Sequence, residues 1–162
     1  MAIKGLDQAI DNLSRVRKNA IPAASAMAIN RVATTAINQS ASQVARETKV
    51  RRKLVKERAR LKRATVKNPQ VRIKVNRGDL PVIRLGNRRI PGAFIQQLKN
   101  GRWHVMQRVA GKNRYPIDVV KIPMAVPLTT AFKQNIERIR RERLPEELAY
   151  ALKQQLRIAI KR

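Results

Sequence analysis

The sequence predicts an α+β fold, with N-terminal helices, a central antiparallel β-meander and C-terminal helices. Apolar residues recur every three or four positions at both ends of the chain, as in amphipathic helices. They recur at every second position in several stretches between residues 69 and 122, as in half-buried strands. No β-α-β alternation is present. We therefore expect the 162 residues to form one domain, helical over 3–64, stranded over 69–122 and helical over 126–161.

The first helices follow from spacing and composition. Ile3, Leu6, Ile10, Leu13 and Val16 form one apolar stripe. The segment 19–22 interrupts this stripe, and its proline suits the first turn of a second helix. Residues 23–47 are rich in alanine, which permits close approach between helices. This second helix is predicted to lie in the core, with a subunit interface as the alternative.

The most basic stretch of the chain, residues 49–63, contains no glycine or proline and is predicted to be a short, highly charged helix. One interpretation is a solvated helix face. The other is a contact surface for DNA phosphates or for an acidic protein ring, without base-specific recognition. We refer to its eight cationic side chains as the basic contact surface: Arg51, Arg52, Lys53, Lys56, Arg58, Arg60, Lys62 and Arg63.

The strands are indicated by period-two alternation and by turn residues. Over 71–75, apolar residues alternate with Arg72 and Lys74, which predicts a half-buried strand with a basic outer face. Further strands are predicted over 80–85, 90–98, 103–108 and 117–122. The apolar patch at the start of the 90–98 stretch is either a strand entering the core or an exposed docking loop. This candidate docking loop consists of Ile90, Pro91, Gly92, Ala93 and Phe94.

The C-terminal region returns to helical spacing after residue 126. Pro145 either kinks this helix or opens a new one. Leu148, Leu152 and Leu156 are predicted to form a buried stripe, so that Leu152→Asp would unfold the domain or abolish its incorporation into an assembly.

Charge is the dominant feature of the composition. Lys and Arg number 37 against 10 Asp and Glu, a formal net charge of +27. Such an excess costs self-repulsion in the folded state, which predicts a polyanionic partner: nucleic acid, an acidic protein surface, or both.

The composition argues against an enzyme, a metal site or a bound cofactor. The chain has no cysteine, a single histidine, His104, and scattered carboxylates that include Asp7 and Asp11. No glycine-rich phosphate loop is present. Neither a membrane-spanning stretch nor a signal peptide is expected, which favours the cytosol.

Several short motifs carry a resemblance to a known family. A Gly-Ala-Phe motif at 92–94 is followed by a turn at 99–101, a strand ending in arginine at 105–108 and a Pro-Ile pair at 116–117. With the segments 28–31 and 50–54, their order resembles minor tail protein Z of lambda-like bacteriophages. The chain lacks a longer Arg- and Gly-rich segment between Leu85 and Asn87, and it has other residues at 121–124, where many members carry a Gly-Pro-Ser motif.

The resemblance implies a structural virion protein, without enzymatic activity or cofactor, that completes the head-proximal end of a long non-contractile tail. Head–tail joining, DNA-end positioning and infectivity would depend on it. The implied partners are the tail terminator, tail tube or head–tail connector proteins and the DNA end in the tail lumen. Several copies would act in a symmetric assembly in the virion, built in the host cytoplasm. The alternative is a sequence-non-specific nucleic-acid-binding protein of ribosomal or nucleoid type, which would need no apolar surface for assembly.

Overall fold

The structure, a computed structural model, describes residues 5–86, 90–109 and 116–160. The helical elements in these ranges are α1 (Leu6–Arg15), a π-helical turn (Val16–Ala20), α2 (Ile21–Thr48), α3 (Arg52–Lys56) and α4 (Ala125–Ile160). The strands are β1 (Ala59–Lys62), β2 (Arg72–Val75), β3 (Leu80–Pro81), β4 (Ala93–Gln97), β5 (Trp103–Arg108), β6 (Ile117–Val119) and β7 (Lys121–Ile122). The α+β class is confirmed.

The two long helices, α2 and α4, pack against each other in antiparallel orientation. Near the start of α2, Ala24 and Ala28 are buried with Ala151 of α4. Small side chains let the helix axes approach closely, and the Ala-rich segment is therefore a core helix, as predicted. The expected break before α2 is absent, because the π-helical turn connects α1 to α2 without a loop.

Polar side chains fix the register of this helix pair. The Asn135 amide donates to Gln43 Oε1 at 2.8 Å and to the Ala131 carbonyl at 2.8 Å. One turn further on, Arg138 donates to Gln39 Oε1 at 2.9 Å. These bonds satisfy polar groups beside the buried seam, since Asn135 itself is buried.

The main core lies between the second half of α2, the first half of α4 and the short elements. Val44, Val55, Leu80, Met124 and Leu128 are fully buried there. Residues from α3, from the strands and from both long helices thus share one cluster, which fixes the strand region on the helix pair.

Within the described residues the strands pair antiparallel and form three small sheets, β1–β2, β3–β7 and the meander β4–β5–β6. The strand expected over 80–85 ends at Pro81, which lacks a backbone N–H for a sheet. A 3₁₀ turn follows, and its spacing of three buries Val82 and Leu85 on the same side.

The basic stretch differs from its prediction. Helix occupies only Arg52–Lys56, and the chain then turns into β1. Here Ala59 and Leu61 face the core while Arg60 and Lys62 face outward, a period of two that suits a strand as soon as β2 supplies a partner. The helix predicted over 49–63, and with it the helical boundary at 64, is therefore wrong.

The C-terminal helix buries a different face from the one that the sequence predicts. It passes through Pro145 as one continuous helix, so proline opens no second helix. Leu144 and Leu148 pack beside the buried Ala151, whereas Leu152 is 37% exposed. The predicted burial of Leu152 is wrong, because the alanine seam of α2 covers only the narrow side at positions 144, 148 and 151.

Candidate interface

The basic contact surface is divided between two elements. Arg51 and the α3 residues Arg52, Lys53 and Lys56 are exposed at the end of the helix pair. The remaining members lie on or next to β1, where Arg60, Lys62 and Arg63 are exposed and Arg58 is partly buried.

The β1–β2 pair carries four cations on one face. The register places Arg60 opposite Lys74 and Lys62 opposite Arg72. All four side chains are exposed, while the alternate residues of both strands pack against the main core. We call Arg60, Lys62, Arg72 and Lys74 the cationic ribbon. Like charges directly opposite on neighbouring strands are destabilising, so this arrangement opposes the stability of the isolated sheet.

No carboxylate relieves this repulsion within the ribbon segment. Between Glu57 and Asp79 the sequence has eight Lys and Arg residues and no acid. Glu57 instead pairs with Arg84, at 3.5 Å, beside the ribbon. A groove of about 410 Å³ is lined by Arg60 and Lys74 of the ribbon together with Glu57, Arg58 and Arg84. The face is therefore a continuous positive surface with a concave flank.

Arg58, also in the predicted set, has a different environment. Its guanidinium donates to the carbonyl oxygens of Asn76 at 3.1 Å, Gly78 and Asp79 at 3.2 Å. Burial lowers the pKa of Arg58 below its ordinary value, Arg84 adds to that effect, and Asp79 opposes it. Arg58 thus fixes the loop that follows β2, and its donors are directed into the protein.

Asn30 of α2 holds the far end of the ribbon. Its side-chain amide donates to the Ala64 carbonyl at 3.0 Å, and its Oδ1 accepts from the Ala64 N–H at 2.8 Å. Ala64 is buried, so both backbone groups need a partner. Sequence reasoning missed this role. Asn30 is one of many polar residues in the Ala-rich helix, and no local signal distinguishes it from the others.

The candidate docking loop is partly packed on the core and partly exposed, and its docking role stays a prediction. Ile90 packs against the main core, and the turn at Gly92 (φ 72°) leads into β4. Pro91 is exposed and Phe94 is half-buried, with the Arg108 guanidinium 5.9 Å from its ring centre. Beside them lies an apolar groove of about 570 Å³ that also includes Ile83, Ile95 and Val105.

Helix α1 presents an apolar stripe to solvent. Leu6, Ile10 and Leu13 are 53%, 52% and 68% exposed, and no residue of α1 is buried. Their spacing is the amphipathic pattern that the sequence predicts, yet the described part of the chain offers nothing that covers it. We call these three residues the α1 stripe. Contiguous exposed apolar residues of this kind are typical of interaction sites.

The described residues give little support to a chemical site. No group of three or more His, Cys, Asp or Glu side chains is placed to hold a metal ion within them. His104 lies on β5, and in the described ranges its Nδ1 is buried without a hydrogen-bond partner. None of the helices there is both long and apolar enough to cross a membrane.

The chain is similar over its whole length to proteins of known name. It is 74% identical to "Tail completion protein Z" of Escherichia phage lambda and 49% identical to "Tail completion protein" of Escherichia phage N15, with 100% of each protein covered. The lambda alignment spans 192 positions, more than the 162 residues here, so the lambda protein has insertions relative to this chain. No solved structure matches significantly. The family model for prophage minor tail protein Z (GPZ) matches residues 3–90 and 82–162, and the chain belongs to that family.

Proposed function

We propose that this protein completes the head-proximal end of a long non-contractile phage tail, so that the tail joins the head and the particle becomes infectious. The full-length match to two tail completion proteins carries this proposal. The role is structural, and the chain acts through contacts with other virion components.

The α1 stripe supports assembly with protein partners. A protein that acts alone would gain stability by turning three large apolar side chains inward, at about 25 cal/mol per Å² of buried apolar surface. Leaving them exposed is favourable only if a partner covers them in the assembled state. The partners that fit are the tail terminator, the tail tube or the head–tail connector, with several copies of this chain in a symmetric ring.

The distribution of charge supports a position next to polyanions. With a net charge of +27, a closed ring of copies would repel itself strongly unless acidic rings or DNA lay beside it. A head–tail junction through which the DNA passes supplies both acidic protein rings and DNA. Contact between the basic surface and the DNA would also position the DNA end.

A nucleic-acid-binding protein of ribosomal or nucleoid type remains the second candidate, because of the charge. The α1 stripe favours the first candidate, since a nucleoid protein needs one basic face but no uncovered apolar helix.

The test is removal of the gene from the phage, followed by complementation with the wild-type chain. We expect lysates that contain heads and tails of normal appearance but few infectious particles, with infectivity restored by the wild-type chain. Normal infectivity without the gene would refute tail completion. Unpackaged or degraded DNA in otherwise joined particles would favour the nucleoid-type alternative.

A further inference from the structure

We infer that the cationic ribbon is a binding site for the phosphate backbone of duplex DNA. The inference rests on the proposed function, because it identifies the duplex as the DNA end at the head-proximal opening of the tail. It brings Arg60 and Lys62, predicted on a helix, together with Arg72 and Lys74, predicted on a strand, and assigns the four to duplex DNA rather than to an acidic protein.

Geometry is the first argument. The sheet register brings two cations of β1 directly opposite two cations of β2, so the positive charges form a compact rectangle. Successive outward residues of a strand are about 7 Å apart, and opposite residues about 5 Å apart. A rod of closely spaced phosphates can contact all four cations at once, whereas a single carboxylate cannot.

The composition of the face is the second argument, and it favours DNA over an acidic protein. Protein–protein interfaces have an apolar centre and are depleted in charge there. The outward residues of β1 and β2 are cations only, and every apolar residue of the two strands faces the core. Such a face can neutralise phosphates but provides no apolar centre for a protein partner.

The absence of aromatic residues is the third argument, and it distinguishes duplex from single-stranded DNA. Single-strand binding sites stack bases on aromatic side chains. Residues 57–79, all of which the structure describes, include no Phe, Tyr or Trp. The sequence also has no recognised DNA-reading motif beside these residues, so we infer a contact with the backbone that is independent of base sequence.

The two strands are also held rigidly enough to act as a preformed site. Asn30 fixes the connection after β1 through Ala64, and Arg58 fixes the loop after β2 through three carbonyl groups. The ribbon is thus anchored at both ends, and little ordering is needed when a ligand binds.

The experiment compares two variants with the same change in charge. The ribbon variant replaces Arg60, Lys62, Arg72 and Lys74 with glutamine. The control variant replaces two exposed arginines and two exposed lysines of α4 with glutamine: Lys133, Arg143, Lys153 and Arg157. Binding to a short fluorescein-labelled DNA duplex of mixed sequence is followed by anisotropy over a range of salt concentrations. Circular dichroism establishes that both variants fold.

We expect the ribbon variant to lose about 3.6 units of the log–log salt slope, if each cation neutralises one phosphate. Raising the salt from about 50 to 200 mM should then weaken wild-type binding about 150-fold more than binding by the ribbon variant. The control variant should retain most of the wild-type slope.

Equal loss in both variants would overturn the inference, because it would show that the net charge binds DNA without a site. Unchanged binding by the ribbon variant would overturn it as well. Failure of the inference is separable from failure of the proposed function, since the ribbon variant is also tested for complementation of the gene deletion. If wild-type protein binds no duplex but the ribbon variant fails to enter tails, the ribbon meets an acidic protein and the DNA assignment falls, while tail completion stands.

Discussion

Replacement of Asn30 with alanine should destabilise the protein by disconnecting the ribbon from α2. The variant loses two hydrogen bonds, the one donated to the Ala64 carbonyl at 3.0 Å and the one accepted from the Ala64 N–H at 2.8 Å. Each typically contributes about 0.5–1.5 kcal/mol net, so the free energy of unfolding should fall by about 1–3 kcal/mol. For a chain of this length, that corresponds to a decrease in Tm of about 2–12 °C.

The assay combines denaturant unfolding with hydrogen exchange. Chemical denaturation gives the change in the free energy of unfolding, and exchange at the Ala64 amide reports the local contact. In the wild type, this amide is buried and bonded to Asn30, so it should exchange slowly. In the variant, it should exchange much faster than the amides of the α2–α4 seam.

A suitable control is Gln134→Ala, which removes an amide from an exposed position of α4. It should change stability by no more than about 0.5 kcal/mol. An Asn30→Ala variant that is as stable as Gln134→Ala, with a protected Ala64 amide, would refute the anchoring role of Asn30.

Three further predictions concern the core, the C-terminal helix and the α1 stripe. Leu128→Ala empties a fully buried position of the main core and should cost about 2–5 kcal/mol, measured by denaturant unfolding. Leu152→Asp should cost about 1–2 kcal/mol and leave the protein folded, because the side chain is already 37% exposed and contributes only part of what a fully buried leucine does. The neighbouring Ala151→Asp, which places a carboxylate in a buried seam, should prevent stable folding; equal effects of the two would contradict the observed helix face. The double variant Ile10→Asp, Leu13→Asp should keep the wild-type Tm within a few degrees yet fail to enter tails, and normal incorporation would show that the stripe is not an assembly contact.

The periodic apolar patterns in the sequence predict most of the helices and strands, but not which of these elements pair. The strand at 71–75 and the helix after residue 125 follow from local spacing alone, and both are confirmed. The strand at 59–62 was hidden, because four alternating residues within a run of helix-forming Arg, Lys and Leu carry a weak signal. Its strand state depends on pairing with β2, ten residues further along the chain.

The candidate interface was only partly predictable for the same reason. The density of charge indicates Arg60 and Lys62, and the alternating pattern places Arg72 and Lys74 on the outer face of a strand, but only the sheet register brings the four together. The direction of Arg58 and the role of Asn30 depend on backbone groups 18–34 residues away in sequence, which no local pattern encodes. Likewise, the helical spacing predicts that both Leu148 and Leu152 are buried. Only the packing on α2 shows that Leu148 contacts the alanine seam while Leu152 lies outside it.

The pairing of α2 with α4 has a consequence for the order of events during synthesis. The two helices are separated by residues 49–124, and closing a loop of that size costs roughly 4 kcal/mol of chain entropy. At typical elongation rates, the ribosome needs about 4–15 s to make the intervening chain. Throughout that interval α2 exists without its partner. A helix face built from alanine exposes far less apolar surface than one built from leucine. Before α4 is made, α2 therefore has little apolar surface that could cause aggregation. The residues that allow the closest packing in the finished protein are thus also the safest ones to leave uncovered while it is being made.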